Sequence, residues 1–582
     1  MATKSIIDKS TELKEYVAQF DIDSFCGFCA FFIRSRTKGE LSGNMTMFKS
    51  MQKELTYLMA LNYFNQKSMS KYFLTTDETI AELARKVNDI KESYIRDSFS
   101  ELRMNVDRPY QRRALIHEQM FRFFYDNGIL NYMEQEVNRI EMTYGPHDEV
   151  IRIATGLTVQ DYLDCFVALE NIQRAKEIEA TRIFRDPIIQ ETVILLREVV
   201  TDDNRDEFMR TVENLPDNLR SEFMRFNECP HSHLKVGVDD LSVFVDKVVA
   251  VKFLDCMSVS PSAYAGFSYY DEFNPLEAHP LLRIGNDYMH TNGKQLLVAI
   301  NDFLFTILKT QKTTSRACRA VETQLEQQTR NVVERFFSKG DLNVYQNYYV
   351  AGGLEQDLLI EIGPKVIICE CKSTRLRSPL RDIDKFYTRA RDDFRRSIQK
   401  GYDQADRVAD LITKQKETIL YDHKGKERGR VRQRSPKDVC VWVVTDKSLG
   451  PAQVDLSYML DSSKALMDYP WSLCIDDLET FLLYLSKFPN PFSRLFDYLR
   501  FRPRLYGRVI SPDELDIVGW YITNRPKFLA ACMNDSDWVL VDLKLQGIFD
   551  KEYHSEKGLG FDERLRDRLW NEDDWEREDK LD

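Results

Sequence analysis

The feature that most constrains the fold is the segment 355–372, which reads EQDLLIEIGPKVIICECK. Two runs rich in Ile, Leu and Val are separated by a Gly-Pro pair at 363–364. Such a pair between apolar runs predicts a tight turn, so the segment is expected to form a β-hairpin. The second run is almost continuously apolar from Val366 to Cys371, which indicates a strand buried on both faces.

Charged side chains interrupt this hairpin at a few positions. If the Gly-Pro pair is the whole loop, Asp357 lies opposite Glu370, and Lys372 lies opposite Glu355 on the Glu370 face. Opposing carboxylates with Cβ atoms about 5 Å apart repel each other unless a positive charge lies between them. A divalent cation with oxygen ligands is the simplest partner, and a structural ion pair on a charged hairpin is the alternative.

At this spacing, Asp357, Glu370 and Lys372 resemble the D-x(12)-E-x-K core of the PD-(D/E)XK nuclease superfamily, whose fold is restriction-endonuclease-like. Gln356 stands where the family name has Pro. The resemblance implies that Asp357 and Glu370 hold Mg²⁺, with Mn²⁺ as an alternative, together with the backbone carbonyl of Cys371. It also implies that Lys372 orients or polarises the water that the metal makes acidic.

Upstream of the hairpin, 316–338 has the apolar spacing of an amphipathic helix. Nucleases of the superfamily often take a third carboxylate from such a helix, which implies a role for one glutamate here. Glu326 is favoured over Glu322 and Glu334, and a solvated helix-surface charge is the alternative for each of them.

Downstream of the hairpin, 385–414 predicts a long helix that is kinked or divided at Gly401-Tyr402. Several branches of the superfamily place a glutamine on this helix, facing the metal. Gln404 is the preferred candidate, with Gln399 as the second choice. Its amide would hydrogen-bond the scissile phosphate or the attacking water, and an exposed polar residue is the alternative.

The net charge of the chain is −12, which by itself argues against a nucleic-acid partner. The segment 372–437 is an exception, with twenty Lys and Arg against ten Asp and Glu, and it includes an exposed basic hairpin or loop at 419–437. A phosphate backbone would lie beside these cations, which follow the metal site in the chain. The predicted contacts, mainly with phosphates, are Arg375, Arg377, Arg381, Arg395, Arg396, Arg428, Arg430, Arg432 and Arg434.

The rest of the chain predicts a multidomain protein. Helical spacing dominates residues 1–310, in the segments 13–20, 48–64, 79–99, 112–125, 131–144, 159–184 and 188–200. Two later segments, 438–446 and 469–478, predict buried strands, the second leading into a helix. We therefore expect a predominantly α-helical N-terminal region (1–310), an α/β core (315–480), and a small helical C-terminal cap (485–582) with an acidic tail at 571–582. The resemblance implies that the core is restriction-endonuclease-like.

Cysteine usage favours a cytoplasmic protein with reduced thiols, because eleven cysteines occur without a signal peptide. Cys26-Gly-Phe-Cys29 and Cys229-Pro-His-Ser-His233 have metal-like spacings but no second pair at a recognised distance. They predict core packing rather than zinc. The apolar run at 25–33 is too short to cross a bilayer, so no membrane partner is expected.

These observations predict a Mg²⁺-dependent nuclease that hydrolyses phosphodiester bonds in DNA, with RNA as an open alternative. Standalone nucleases with long helical extensions often serve in bacterial defence. For the helical region, substrate gating, partner sensing and self-association into a homo-oligomer are all open. Two other classes remain open: a catalytically silent nuclease-fold module that only binds nucleic acid, and a helical sensor or scaffold with an accessory nuclease domain.

Overall fold

The computed structural model describes residues 5–35, 45, 47–65, 71–104, 108–128, 131–199, 205–228, 231–351, 353, 355–373, 376–534, 538–542, 544–562 and 564–569. The chain divides into two compact units. Unit 1 comprises Met1–Tyr94, Gly128–Gln311 and Arg564–Asp582, and unit 2 comprises Ile95–Asn127 and Lys312–Glu563. The predicted acidic tail at 571–582 lies outside the described residues.

Unit 1 is mainly helical, which confirms the helical N-terminal region. Its helices are Ile6–Val17, Ile22–Ser35, Met51–Phe64, the first part of Asp77–Met104, Met133–Tyr144, Asp148–Thr155, Val159–Thr181, Pro187–Val199, Arg205–Glu213, Asp217–Glu228, Val238–Leu241, Lys247–Met257, Pro275–Ala278, Gly293–Gln311 and Arg564–Arg568. A small sheet orders its strands as Lys235–Val236, Asp287–His290, Leu281–Ile284 and Ser258–Val259. These strands are too short to show a period in the sequence.

Local signals explain where the helices begin. Thr158 precedes the helix Val159–Thr181, and its Oγ1 accepts a hydrogen bond from the Asp161 backbone N–H at 3.0 Å. The Asp161 carboxylate accepts in return from the Thr158 N–H at 2.7 Å. This reciprocal capping box satisfies donors that the first turn of a helix leaves unpaired.

The cysteine pair of unit 1 lies on the helix Ile22–Ser35. Cys26 Sγ donates to Asn62 Oδ1 at 3.5 Å, and burial raises the pKa of both the Cys26 and Cys29 thiols. The His231 ring lies against Gly27, where a Cβ atom would come within 2.6 Å of the ring. Cys229 lies outside the described residues.

Unit 2 is built on a mixed seven-stranded sheet. Its strands are β1 (Leu342–Tyr349), β2 (Glu355–Ile362), β3 (Lys365–Lys372), β4 (Glu417–Tyr421), β5 (Glu427–Arg432), β6 (Val439–Thr445) and β7 (Trp471–Cys474). Their order in the sheet is β7-β6-β3-β2-β1-β4-β5. β6 is parallel to both β3 and β7, and the other neighbours are antiparallel.

The helices of unit 2 include α1 (Arg108–Asp126), α2 (Thr314–Phe337), α3 (Ile383–Phe394), α4 (Lys400–Lys414) and α5 (Ile475–Leu485). After α5 the chain forms Pro491–Phe501, Glu514–Thr523, Arg525–Met533 and Gly547–Tyr553, with a short parallel pair between Val509–Ile510 and Val539–Leu540. The short helix Pro451–Val454 lies between β6 and β7.

Helices cover both faces of the central strands. Cys371 Sγ contacts Thr329 Oγ1 of α2 at 3.6 Å, whereas its neighbour Glu370 faces Gly401 of α4. Because successive side chains of a strand point to opposite faces, α2 and α4 lie on opposite sides of β3. The core on the α4 side contains Leu359, Ile368 and Val408, with other apolar residues of β1 to β5 and α4.

The structure confirms most of the elements predicted around the hairpin and corrects two. β1 was not predicted as a strand, although it pairs antiparallel with both β2 and β4. The helix predicted at 385–414 is not divided at Gly401-Tyr402: its irregularity is a π-turn at Arg395–Gln399, and Gly401 lies inside α4. No helix in the described part of the chain is long and apolar enough to span a membrane.

Candidate active site

The register of the β2–β3 hairpin follows from its two-residue turn. Ile362 pairs with Lys365 as predicted, and the ladder continues as far as Leu358 opposite Cys369. It ends there, one pair short of the predicted Asp357–Glu370 pair. Beyond this point carboxylates replace the strand-to-strand hydrogen bonds.

Asp357 and Glu370 each accept a backbone N–H from the facing strand. The Asp357 N–H donates to Glu370 Oε1 at 3.4 Å, and the Cys371 N–H donates to Asp357 Oδ2 at 2.7 Å. These bonds hold both carboxylates at the open end of the hairpin, where the two strands separate. Backbone donors of the hairpin itself therefore orient the acidic pair.

Lys372 lies between the two carboxylates. Its Nζ is 3.2 Å from Asp357 Oδ2 and 2.8 Å from Glu370 Oε2. Burial lowers the pKa of Lys372, but the charges of Glu370 and Asp357 outweigh it and keep that pKa above its ordinary value. The lysine thus supplies the positive charge that two opposed carboxylates require.

Burial and mutual repulsion make ionisation of the acidic groups unfavourable, even with Lys372 beside two of them. Glu370 is fully buried, and burial together with the charge of Asp357 raises the pKa of Glu370 to about 8. Glu326 of α2 belongs to the same electrostatic group: burial and the charges of Asp357 and Glu355 raise the pKa of Glu326 to about 7. A further positive charge would stabilise the ionised forms of both.

The structure separates the three glutamates of α2. Glu326 is half-buried and lies in the field of Asp357. Glu322 is exposed and accepts a hydrogen bond from Ser373 Oγ at 3.3 Å. Glu334 pairs with Arg330, with an Nε to Oε1 distance of 2.8 Å. Glu326 is therefore the glutamate placed to join the acidic pair.

α4 approaches the site through Gly401. A Cβ atom at Gly401 would lie 3.4 Å from both Glu370 Cβ and Lys372 Cε, and 3.0 Å from Val443 Cγ1. Gln404 follows on the same side of the helix, three residues later. The π-turn immediately before α4 shifts the helix phase, and such turns are frequent at functional sites.

The two candidate glutamines differ in their hydrogen bonding. Gln404 Oε1 is buried and has no hydrogen-bond partner among the described residues. Gln399 instead forms two hydrogen bonds with the backbone of Asp461. Its Oε1 accepts the Asp461 N–H at 2.8 Å, and its Nε2 donates to the Asp461 carbonyl at 3.0 Å. An unpaired buried acceptor costs about 1–3 kcal/mol, so Gln404 is the glutamine with capacity for an added ligand.

Tyr348 is a neighbour of the site that the sequence did not indicate. Asn347 has a φ of 51°, and the β1–β2 ladder skips the position opposite Asp357 at this point. Tyr348 is fully buried, and its hydroxyl has no hydrogen-bond partner among the described residues. Burial and the charges of Glu370 and Asp357 raise the pKa of Tyr348. The available signal for this strand was weak, because the apolar and aromatic residues at 342, 344, 345 and 348 do not alternate regularly.

The predicted phosphate-contacting arginines fall into two groups. Four of them form ion pairs: Arg377 with Asp393, Arg395 with Asp461, Arg430 with Glu417 and Glu427, and Arg434 with Glu361. Arg381, Arg396, Arg428 and Arg432 are exposed. Arg375 lies outside the described residues. Carboxylates therefore neutralise part of the basic charge counted from the sequence.

The donor set is compatible with a hard cation, although no complete metal cage is present. Across the described ranges, no group of three or more His, Cys, Asp or Glu side chains is arranged to hold a metal ion. Asp357, Glu370 and Glu326 nevertheless offer carboxylate oxygens, and Gln404 offers an amide oxygen without a partner. Carboxylate and amide oxygens are donors that fit Mg²⁺ or Mn²⁺.

Comparisons with known proteins gave no match to a family model, to a curated protein or to a solved structure.

Proposed function

We propose that this protein is a Mg²⁺-dependent nuclease that hydrolyses phosphodiester bonds in DNA, and that unit 2 is a restriction-endonuclease-like core of the PD-(D/E)XK type. The observation that carries the proposal is the meeting of Asp357, Glu370 and Lys372 at the open end of one hairpin. A buried acidic pair bridged by a lysine is costly unless its geometry serves a task.

The proposal assigns roles to groups that the fold already holds in place. Asp357 and Glu370 would hold Mg²⁺ together with the Cys371 carbonyl, and Glu326 would complete the oxygen set. When bound, the ion supplies charge neutralisation and a more acidic water. The raised pKa values of Glu370 and Glu326 support this assignment, because a divalent cation would stabilise the ionised forms that burial disfavours.

Two further side chains act on the water and the phosphate. Lys372 carries a positive charge into the region where the transition state gains negative charge, which stabilises it electrostatically. Gln404 positions the water or a phosphate oxygen through its amide, and its buried unpaired Oε1 supports that role. Both side chains are half-buried, so they hold their positions without full exposure to solvent.

A second candidate function is a catalytically silent module that only binds nucleic acid. The specific observation in its favour is that Lys372 Nζ contacts both carboxylates at 3.2 and 2.8 Å, so a positive charge lies between them without a metal ion. In this case the acidic pair and Lys372 would have a structural role in unit 2.

Cleavage assays separate these candidates. We expect the purified protein to cut plasmid or linear duplex DNA with Mg²⁺ or Mn²⁺ and not with EDTA; single-stranded DNA and RNA are assayed in parallel. Asp357→Asn and Lys372→Met should each lower the rate by about 100-fold or more, the usual cost of removing one stabilising group. Cleavage that survives both substitutions would refute the site, and binding without cleavage would favour the silent module.

The helix α2 offers a matched pair of controls. Glu326→Gln should reduce cleavage and raise the Mg²⁺ concentration required for half-maximal activity. Glu334→Gln makes the same chemical change two turns away, at a carboxylate that pairs with Arg330, and should leave cleavage unchanged. Equal effects of the two substitutions would refute the assignment of Glu326.

A further inference from the structure

The hairpin formed by β4 and β5 carries a row of cations on one face. From Lys426 to Arg434 every second residue is basic: Lys426, Arg428, Arg430, Arg432 and Arg434. In a strand, alternate residues share a face. Two intervening residues point inward: Val431 is fully buried in the core of unit 2, and Gly429 lies under Tyr345. The alternation therefore directs Arg430 and Arg432 outward; a register shift lies beside Arg428, and Lys426 and Arg434 flank the strand and are exposed and partly exposed, respectively.

The inward face of the hairpin is fixed by close packing. Gly429 lies under the ring of Tyr345, where a Cβ atom would come within 2.5 Å of the ring. Leu420 of β4 pairs with Gly429 and is also fully buried. Because these residues fill the inner face, the hairpin cannot turn its cations toward the core.

Protection of the sheet edge does not account for this row. β5 is the last strand of the sheet and pairs on one side only, with β4. Charged side chains on such an edge discourage pairing with other chains, and either sign serves that purpose. Five basic residues in succession at alternate positions exceed that need and indicate an anionic partner.

Only part of the row is neutralised within the protein. Arg430 contacts Glu417 at 3.0 Å and Glu427 at 2.6 Å, and Arg434 contacts Glu361 at 3.2 Å. The other cations of the hairpin are exposed and form no ion pair within the described chain: Lys416, Lys424, Lys426, Arg428 and Arg432.

A hydrogen bond to the backbone orients the Arg428 guanidinium without neutralising its charge. Its Nη1 donates to the Gln346 carbonyl at 2.6 Å. This bond orients the guanidinium, but a backbone carbonyl does not cancel its charge. The remaining donors of the planar group stay available for an anion.

We infer that the outer face of the β4–β5 hairpin binds the phosphate backbone of a nucleic acid, with Lys426, Arg428 and Arg432 as the main contacts. Alternate residues of a strand are about 6.8 Å apart, which is also the axial rise of two nucleotides in a DNA strand, about 3.4 Å each. A row of cations at this interval fits an anion with a regular repeat. This inference rests on the proposed function for the choice of nucleic acid as the partner.

Binding in EDTA tests the inference independently of cleavage. The full-length protein is titrated against a fluorescent 30-base-pair duplex at several salt concentrations, and affinity is followed by anisotropy. Three phosphate contacts contribute about 0.9 each to the dependence of log K on log[salt]. The Lys426→Gln/Arg428→Gln/Arg432→Gln variant should therefore bind more than tenfold more weakly at low salt, with a slope lower by about 2–3.

Two controls isolate the hairpin from net charge. The Lys527→Gln/Lys544→Gln/Lys557→Gln variant removes the same charge from exposed lysines elsewhere in unit 2 and should bind as the native protein does. Arg430→Gln should have a smaller effect than Arg428→Gln, because Arg430 is already neutralised by two glutamates. Circular dichroism checks that all variants are folded.

The outcomes for binding and cleavage are distinguishable. Unchanged affinity and slope in the hairpin triple variant would overturn the inference even if the native protein cuts DNA. Loss of binding in the same variant would support the inference even if no cleavage is found, in which case only the proposed nuclease activity fails. Binding to phosphatidylserine vesicles but not to the duplex, again lost in the triple variant, would identify a membrane surface as the partner and overturn the inference.

Discussion

The substitution Gly401→Ala tests whether α4 packs closely against β3 at the candidate site. A Cβ atom at this position would lie 3.0 Å from Val443 Cγ1 and 3.4 Å from both Glu370 Cβ and Lys372 Cε. Alanine improves helix propensity by about 1 kcal/mol over glycine. Overpacking a tight contact costs about 1–3 kcal/mol, because side chains or backbone must shift. The two terms oppose each other, so a matched control is required.

Gly547→Ala provides that control within the same unit. Gly547 begins the helix Gly547–Tyr553, and a Cβ atom there would meet no other atom within 4 Å. This substitution should therefore stabilise the protein by about 0.5–1 kcal/mol. Gly401→Ala should be less stable than Gly547→Ala by about 1–3 kcal/mol, the overpacking term alone.

Urea unfolding followed by tryptophan fluorescence measures this difference, since Trp442 and Trp471 are buried in the sheet of unit 2. Gly401→Ala should also reduce cleavage, because an outward shift of α4 moves Gln404 away from the acidic pair and small misplacements are costly in catalysis. Equal stability of the two alanine variants would refute the close approach of α4 to β3. Lower stability with unchanged cleavage would refute the role of Gln404.

Three further predictions follow from buried polar groups. Gln404→Leu should reduce cleavage without lowering stability in a urea melt, because it removes a buried acceptor that has no partner. Burial and the charge of Asp513 raise the pKa of Asp516 to about 8, so the native protein retains a proton that the unfolded chain loses near pH 4. Stability should therefore fall between about pH 4 and 8, by up to about 1.4 kcal/mol per pH unit, and Asp516→Asn should flatten that slope in melts across this range. Arg502→Met leaves the fully buried Glu514 without its bidentate partner and should cost about 3–5 kcal/mol, whereas adding Glu514→Gln should recover part of that loss; additive losses would contradict the pairing.

The hairpin shows how much of the site local sequence can predict. The Gly-Pro turn sets the register, and strand alternation then places Glu370 and Lys372 on one face, as found. The separation of the strands beyond Leu358 was not predictable, because it depends on carboxylates that replace backbone hydrogen bonds. The position of Lys372 between the two carboxylates depends on side-chain packing and was not predicted. The sequence analysis instead expected a divalent cation between them.

Residues that are distant along the chain account for the other differences. Arg434 is neutralised by Glu361, which is 73 residues away, so a count of basic residues overestimated the free positive charge. The sequence preferred Gln404 to Gln399, and the structure adds a physical difference between them, because Gln399 is hydrogen-bonded to Asp461 whereas Gln404 Oε1 has no partner among the described residues. Tyr348 is buried beside the site, and it follows Asn347, whose left-handed conformation coincides with a skipped pair in the β1–β2 ladder.

By itself, the sequence determined the hairpin, its register, the helices on either side of it and the residue types of the site, because these depend on turn chemistry and on periodicity within a single element. Only the tertiary structure showed that Glu326, the glutamate favoured by the sequence, lies in the field of Asp357, which glutamine has an unpaired oxygen, and which cations of the β4–β5 hairpin keep their charge. Each of those outcomes depends on contacts between elements far apart in the chain. Ion pairing and burial act across such contacts, and no periodic pattern records them.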